Sequence, residues 1–489
     1  MDFKATIIKY KRWIVFGLIP VMGLLMHLEI FPMELRGIHA WRQTETMSNV
    51  VNFYERDFHI VNPQVHSLEW PDGLKRMEFP LMQWVFAWFY FLFGEHIWII
   101  RFLTFLIGLG SVWGMFRLAG HLFGDDWRAT LTAWCFAWSP VFFYYTVNPL
   151  PDNLALMAGI WGLVFFARWH RQRDSWDLWF SAAFLLLATL VKLPFILFYG
   201  LPFGFALWDT LGSRFKTLRQ NLFVILPGLL SLAIPAAWYL KVIPTWHGNG
   251  VVGGIFHSSP DELWWLTKVF VKNLVSTLPE LLINYGAFGF FLAGAYFLYR
   301  NRVRKRKLWP ALATVAGGLG VYYMFELNMI TTVHDYYLFP FLPFLFLVVG
   351  YGAGEVWKMD IKWVKTVAMV ALIVLPLLAF LRSNPRWHKK GFPEDLLEYR
   401  SELRAAVPDD ALCLVGHDKS PHIFLYHLHK RGWHVDGDDL DSDRFANCIQ
   451  MGAQYLYSSS REMEAHPRIQ PHLAGQVAEF GTFKVWSLK

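Results

Sequence analysis

Apolar runs of about 15 to 22 residues recur along this chain, and several reach the roughly 20 residues that cross the hydrocarbon core of a bilayer as a helix. The first extends from Trp13 to Phe31. Others lie near 98–118, 129–147, 177–191, 194–208, 221–240, 284–299, 308–329, 336–356 and 364–381, and a further run ends at "RWHRQRD" (168–174). Backbone inside lipid must satisfy its own hydrogen bonds, so such runs become helices. The pattern predicts a mainly α, polytopic membrane helix bundle. Only 17% of the 489 residues are charged, against about 25% in a soluble protein. The net charge of +7 sits in short Lys/Arg clusters between apolar runs, as in cytoplasmic loops, and is not a nucleic-acid footprint.

Those clusters orient the bundle. Lys4, Lys9, Lys11 and Arg12 precede the first run, and no small-x-small cleavage site follows it, so an uncleaved span with a cytoplasmic N-terminus is expected. "EFPLMQWVFAWFYFLFG" (78–94) is short and opens at a proline. If it lies in the interface, the basic clusters at 168–173, 214–219 and 300–307 all fall on the cytoplasmic side. The expectation is then about eleven membrane helices plus interfacial helices. The outer face would carry a first loop at 32–97, "NPLPDN" at 148–153, Lys192, the 241–283 loop and "TTVHDYY" at 331–337. Residues 1–384 read as the transmembrane domain of a multi-pass protein of the cell inner membrane. Residues 385–489 turn polar and read as a small extracytoplasmic α/β domain, with strands at "ALCLVG" and "AQYLYSS" and a glycine-closed helix at "PHIFLYHLHKRG". Cys413 and Cys448 both fall there, where a disulfide would be permitted.

The chain carries no phosphate-binding glycine loop, zinc-protease helix motif or CxxC pair, which argues against an ATP-driven pump. Its chemistry must use polar groups at span ends. Asp152 opens an apolar helix after two prolines, where a carboxylate also suits an N-cap. Lys192 stands at a span end, able to snorkel or to meet a lipid phosphate. "GIHAWRQTET" (37–46) holds His39, Arg42 and Glu45, with Arg42 and Glu45 sharing one helix face. Arg76 and Glu78 lead into the 78–94 helix, and His334, Asp335, Tyr336 and Tyr337 open a late span. Their shared placement on one side of the membrane carries the functional reading.

In order and topology these residues resemble the lipid-dependent glycosyltransferases of the C-type superfold, particularly the aminoarabinose lipid A transferases and protein O-mannosyltransferases. The matching stretches are "HAWRQTE", "EFP", "PDN", "VKLP" and "HDYYLFPFLP", within residues 1 to 360. Two departures stand out. His39 occupies the family's first-loop Asp position, and Phe79 replaces the Lys of its Glu-Lys-Pro motif, a cation that Lys75 or Arg76 would have to supply. The resemblance implies sugar transfer, with inversion, from a polyprenyl-phosphate donor to a lipid, polysaccharide or protein acceptor at the outer face. His39, Asp152 and Glu45 are the catalytic candidates. Arg42, Arg76, Glu78, Lys192, His334, Tyr336 and Tyr337 are the substrate-binding candidates. No cofactor is certain from the sequence; a divalent metal between Asp152 and His39 is conceivable, although two ligands do not by themselves make a site. Competing readings are a lipid or sugar-lipid flippase, disfavoured by the lack of repeated halves, and a catalytically altered glycolipid-binding relative.

Overall fold

The computed structural model describes residues 3–246, 253–259, 262–301 and 309–489. The side chains of Lys4, Lys9, Lys11 and Arg12, the basic cluster at 302–307 and parts of the 241–283 loop lie outside the described residues. The chain folds as two units: Met1–Phe31 with Met77–Phe79 and Arg101–Pro385, and Pro32–Arg76 with Pro80–Ile100 and Arg386–Lys489.

The first unit is helical. Among the described residues of the chain, five helices are long and apolar enough to cross a membrane: Ile97–Phe123, Leu193–Gly212, Leu218–Thr245, Asp335–Lys358 and Lys362–Trp387. A sixth span results if Glu262–Leu282 and Tyr285–Arg300, bent by 112°, count as one. Trp13–His27, Ser175–Val191 and Ala313–Phe325 are shorter apolar helices. Length and composition thus identify fewer spans than eleven, and proline is one reason. The 129–147 run breaks into helices Asp126–Ala137 and Pro140–Tyr145, because Pro140 starts a new helix and offers no N–H to the old one. Leu222, Phe223, Leu226, Leu229, Leu230 and Ile234 stay exposed along one helix, an apolar surface suited to lipid and not to water. Three arginines of the unit are engaged: Arg101 donates to the Val147 carbonyl and to Asn148, Arg128 meets Glu355, and Arg168 meets Asp177.

The second unit is mixed α/β. Its sheet runs in the order β2-β1-β3-β5-β4, with β1 Leu412–Gly416, β2 Arg431–Val435, β3 Tyr455–Ser458, β4 Leu473–Phe480 and β5 Phe483–Leu488. β1 pairs in parallel with β2 and β3, the β5 pairings are antiparallel, and helices Ile423–Leu428 and Arg444–Gln450 make the crossovers. The helix in "PHIFLYHLHKRG" is not closed by its glycine. It ends at His429 in the left-handed region (φ 55°), and Gly432 lies inside β2, where a Cβ would stand 1.7 Å from the Cys413 carbonyl oxygen. Cys413 and Cys448 are buried free thiols and do not pair. Helix Leu81–Phe93, at 13 residues, is about 20 Å long, shorter than the roughly 30 Å hydrocarbon core. It packs against helix Ala40–Glu55, which carries the polar residues of the first loop.

Candidate active site

In the helical unit the candidate residues assemble around Lys192. Helix Ser175–Val191 ends there because Lys192 turns extended (φ −153°) ahead of Pro194. The last carbonyls of a helix lack partners within it. That of Leu190 is satisfied twice, by the Phe79 amide at 3.2 Å and the Tyr239 hydroxyl at 3.1 Å. The Met77 carbonyl accepts from the Trp238 indole at 3.1 Å, and Phe79 packs edge-on against the Trp238 ring. The amide of residue 79 thus fixes the backbone next to buried Glu78 beside the end of the helix that carries Lys192, while the Phe79 ring packs on Trp238.

Asp152 occupies the first turn of helix Pro151–Gln172, where Pro151 at N1 favours the helix start. It is 2% exposed, and its Oδ2 stands 3.5 Å from the Lys192 ammonium yet makes no hydrogen bond. The ammonium also lies 5.6 Å from the ring of Tyr336 and 5.5 Å from that of Tyr337, within reach of the negative ring faces. His334 Nδ1 is 3.0 Å from the Tyr336 hydroxyl, and Asp335 accepts from the Tyr145 hydroxyl. Asp152, Lys192, Tyr336, Tyr337 and His334 are thus one connected set. Beyond residue 325 a further buried carboxyl, Glu326, has an oxygen with no hydrogen-bond partner. Sequence reading passed over it, although an acid after an apolar run is a usable signal.

The second unit holds the first-loop residues. Gly37 (φ +86°) lies so close to the Arg386 carbonyl that a Cβ would approach it to 2.4 Å, and the Ile38 amide bonds that same carbonyl at 3.0 Å. The chain then turns through His39, whose left-handed backbone (φ 59°, ψ 32°) lets its carbonyl accept from the Arg42 and Gln43 amides and start helix Ala40–Glu55. A non-glycine residue there costs about 1–2 kcal/mol. Glu45, 3% exposed, receives Arg42 on Oε2 at 2.5 Å and Lys75 on Oε1 at 2.6 Å. Lys75 also contacts His422 Nε2 at 3.0 Å and sits over Trp70, which stacks on His422.

The electrostatics of this set are one-sided. Burial alone would raise the Glu45 carboxyl, but Arg42 and Lys75 overcome it and hold Glu45 well below the usual carboxylate range. Burial pulls the Lys75 ammonium down despite Glu45, and burial with Lys75 nearby keeps His422 neutral. Arg76 is turned elsewhere, donating to the Val61 carbonyl and Asn62, each at 2.9 Å. Of Lys75 and Arg76, Lys75 is the one ion-paired with Glu45. Trp70 and His422 went unnoticed in the sequence because nothing local marks a pairing across some 350 residues. Among the described residues, one group can offer three atoms to a metal: Glu55, Glu95 and His429.

Residues 77–239 match the family model described as dolichyl-phosphate-mannose-protein mannosyltransferase. No curated protein matches the sequence. ArnT from Cupriavidus metallidurans bound to undecaprenyl phosphate is similar in structure, with a TM-score of 0.64 at 13% identity over 98% of each chain. The oligosaccharyltransferase AglB from Archaeoglobus fulgidus, in complex with an inhibitory peptide and a dolichol-phosphate, gives 0.62 at 11% identity over 99% of this chain and 75% of that one. The arabinofuranosyltransferase AftD from Mycobacteria gives 0.59 at 16% identity over 98% of this chain and 40% of that one. The chain has the C-type glycosyltransferase fold. Within that class it follows ArnT along nearly its whole length.

Proposed function

We propose that this chain is a glycosyltransferase of the cell inner membrane, moving a sugar from a polyprenyl-phosphate donor to an acceptor hydroxyl at the outer face, with inversion. One observation carries the reading: a buried Asp152–Lys192 pair backed by Tyr336 and Tyr337, in a fold that spans ArnT end to end. Ionisable groups in a membrane helix bundle are costly and are retained for function. Asp152 has the spare oxygen a general base needs. It takes the proton of the acceptor hydroxyl as that oxygen attacks the anomeric carbon. The bond from that carbon to the phosphate oxygen breaks on the opposite face, and the lipid phosphate leaves with the electron pair. Lys192 neutralises the charge growing on the phosphate, an electrostatic contribution of the kind that often dominates catalysis.

In the other unit, Arg42 and Lys75 are cations held in place by Glu45, suited to anionic parts of a substrate. His39 is a second candidate base, positioned by its backbone. Mass spectrometry of lipid-linked sugars and surface glycans, in cells with and without the gene, tests the proposal. The expected result is an accumulating polyprenyl-phosphate sugar with one sugar missing from one polymer; unchanged pools would sink it.

A further inference from the structure

We propose that Glu55, Glu95 and His429 bind a divalent transition-metal ion of the zinc class within the second unit, at a site separate from the Glu45 cluster. Glu55 ends helix Ala40–Glu55, Glu95 follows the turn at Gly94 (φ +82°) after helix Leu81–Phe93, and His429 ends helix Ile423–Leu428. Three segments distant in sequence therefore meet, and one ligand atom from each lies within 4.8 Å of the others. His429 Nε2 is already 3.1 Å from Glu55 Oε2. Ligands about 2.0–2.1 Å from a tetrahedral ion stand roughly 3.3 Å apart, so only small side-chain rotations separate this arrangement from a coordination shell. Two carboxylates and an imidazole suit zinc better than magnesium or calcium, which prefer all-oxygen shells.

Glu55 and Glu95 supply the negative charge of the group. Glu55 sits at a helix C-terminus, where the backbone dipole is negative, and Glu95 brings a second carboxylate to it. Neither is paired with Arg or Lys among the described residues, although Arg56, Arg404 and Arg431 line the same cavity. Two of those arginines are engaged with backbone, Arg404 with the His427 carbonyl and Arg431 with that of Asp72.

A second observation points to a ligand. His66 is 5% exposed and lines the cavity with its ring 5.5 Å from that of His429. Its Nδ1 is held by Ser48 Oγ at 2.5 Å, while Nε2 has no hydrogen-bond partner among the described residues. An imidazole oriented through one nitrogen and open at the other is the usual metal-ready arrangement. The cavity, about 490 Å³, has room for an ion and its remaining waters. Glu45 lies ten residues earlier on the same helix, about 15 Å along its axis. Bound there, the ion would staple the first loop to the sheet domain.

The full-length chain in detergent, loaded with zinc sulfate and desalted, tests this by elemental mass spectrometry and melting temperature. Expected are one zinc per chain, a rise in Tm on loading, and at least tenfold weaker retention in Glu95→Gln and in His429→Gln, with Asp152→Asn retaining the ion. Cobalt(II) should give a visible ligand-field band in wild type that His429→Gln shifts, a readout available even if the variant binds weakly. Equal zinc in wild type and both variants, or none in wild type, overturns the site. So does binding of inorganic phosphate in place of zinc, abolished by Arg431→Ala, which would make the cavity an anion site.

Discussion

Two buried carboxylates, each beside lysine, are satisfied to very different degrees. Glu45 has a cation on each oxygen, at 2.5 and 2.6 Å. Asp152 has one cation at 3.5 Å and an oxygen without a hydrogen bond. A carboxylate with a cation on each oxygen is held ionised, and its depressed pKa makes it a poor proton acceptor. A carboxylate left short of partners in a low-dielectric setting can still take a proton from a substrate. The first arrangement organises charge; the second leaves a valence open for chemistry.

The largest effect should come from closing that valence. Asp152→Asn keeps shape and removes the proposed base, and should lower turnover of a polyprenyl-phosphate sugar by about 10²–10⁴-fold while Tm stays near wild type. Turnover within a few-fold of wild type would move the base elsewhere. Lys192→Ala should cost about 10²–10³-fold in kcat, with Lys192→Arg recovering part of it. Normal turnover in the alanine variant would leave Lys192 a mere anchor.

Glu45→Gln probes the other side of the comparison, in stability more than in rate. It removes the negative charge shared by two buried cations, Arg42 and Lys75, at about 3–5 kcal/mol. Because the folded pKa of Glu45 is depressed, its contribution is fully present above the unfolded value near ~4.3 and is lost as pH falls through the folded value. The Tm gap between wild type and variant should thus hold from pH 5 to 8 and narrow below pH 4; a variant melting with wild type at pH 7 would show the trio to be idle. The smallest change concerns His39. With Asp152 as base, His39→Gln should leave the acid limb of the pH–rate profile in place, and a displaced limb would transfer the role to His39.

What could be read from sequence was what is local. Apolar runs marked the helices, the spacing of Arg42 and Glu45 anticipated their 2.5 Å contact, and "LCLVG" and "YLYS" became strands. Pairings set by the folded chain could not be read, such as Lys75 with Glu45, His422 with Lys75, or the meeting of Glu55, Glu95 and His429. β2 was masked by the helix before it, since a histidine, not a glycine, closes that helix. The β4–β5 hairpin was within reach, because "EFGTFK" places Gly481 (φ +58°) between two alternating strands.

The doubly accepted carbonyl of Leu190 has a consequence for how this protein can vary. It gathers Phe79, Tyr239 and the end of the Lys192 helix at one atom, so residues 79, 238, 239 and 192 share their positional freedom. Changes at such positions do not add. A lysine at 79 would face the Trp238 ring in place of the edge-on aromatic, and its effect would depend on which residue stands at 238. The effect of a lysine at 79 is therefore legible only beside the same change made with Trp238 substituted.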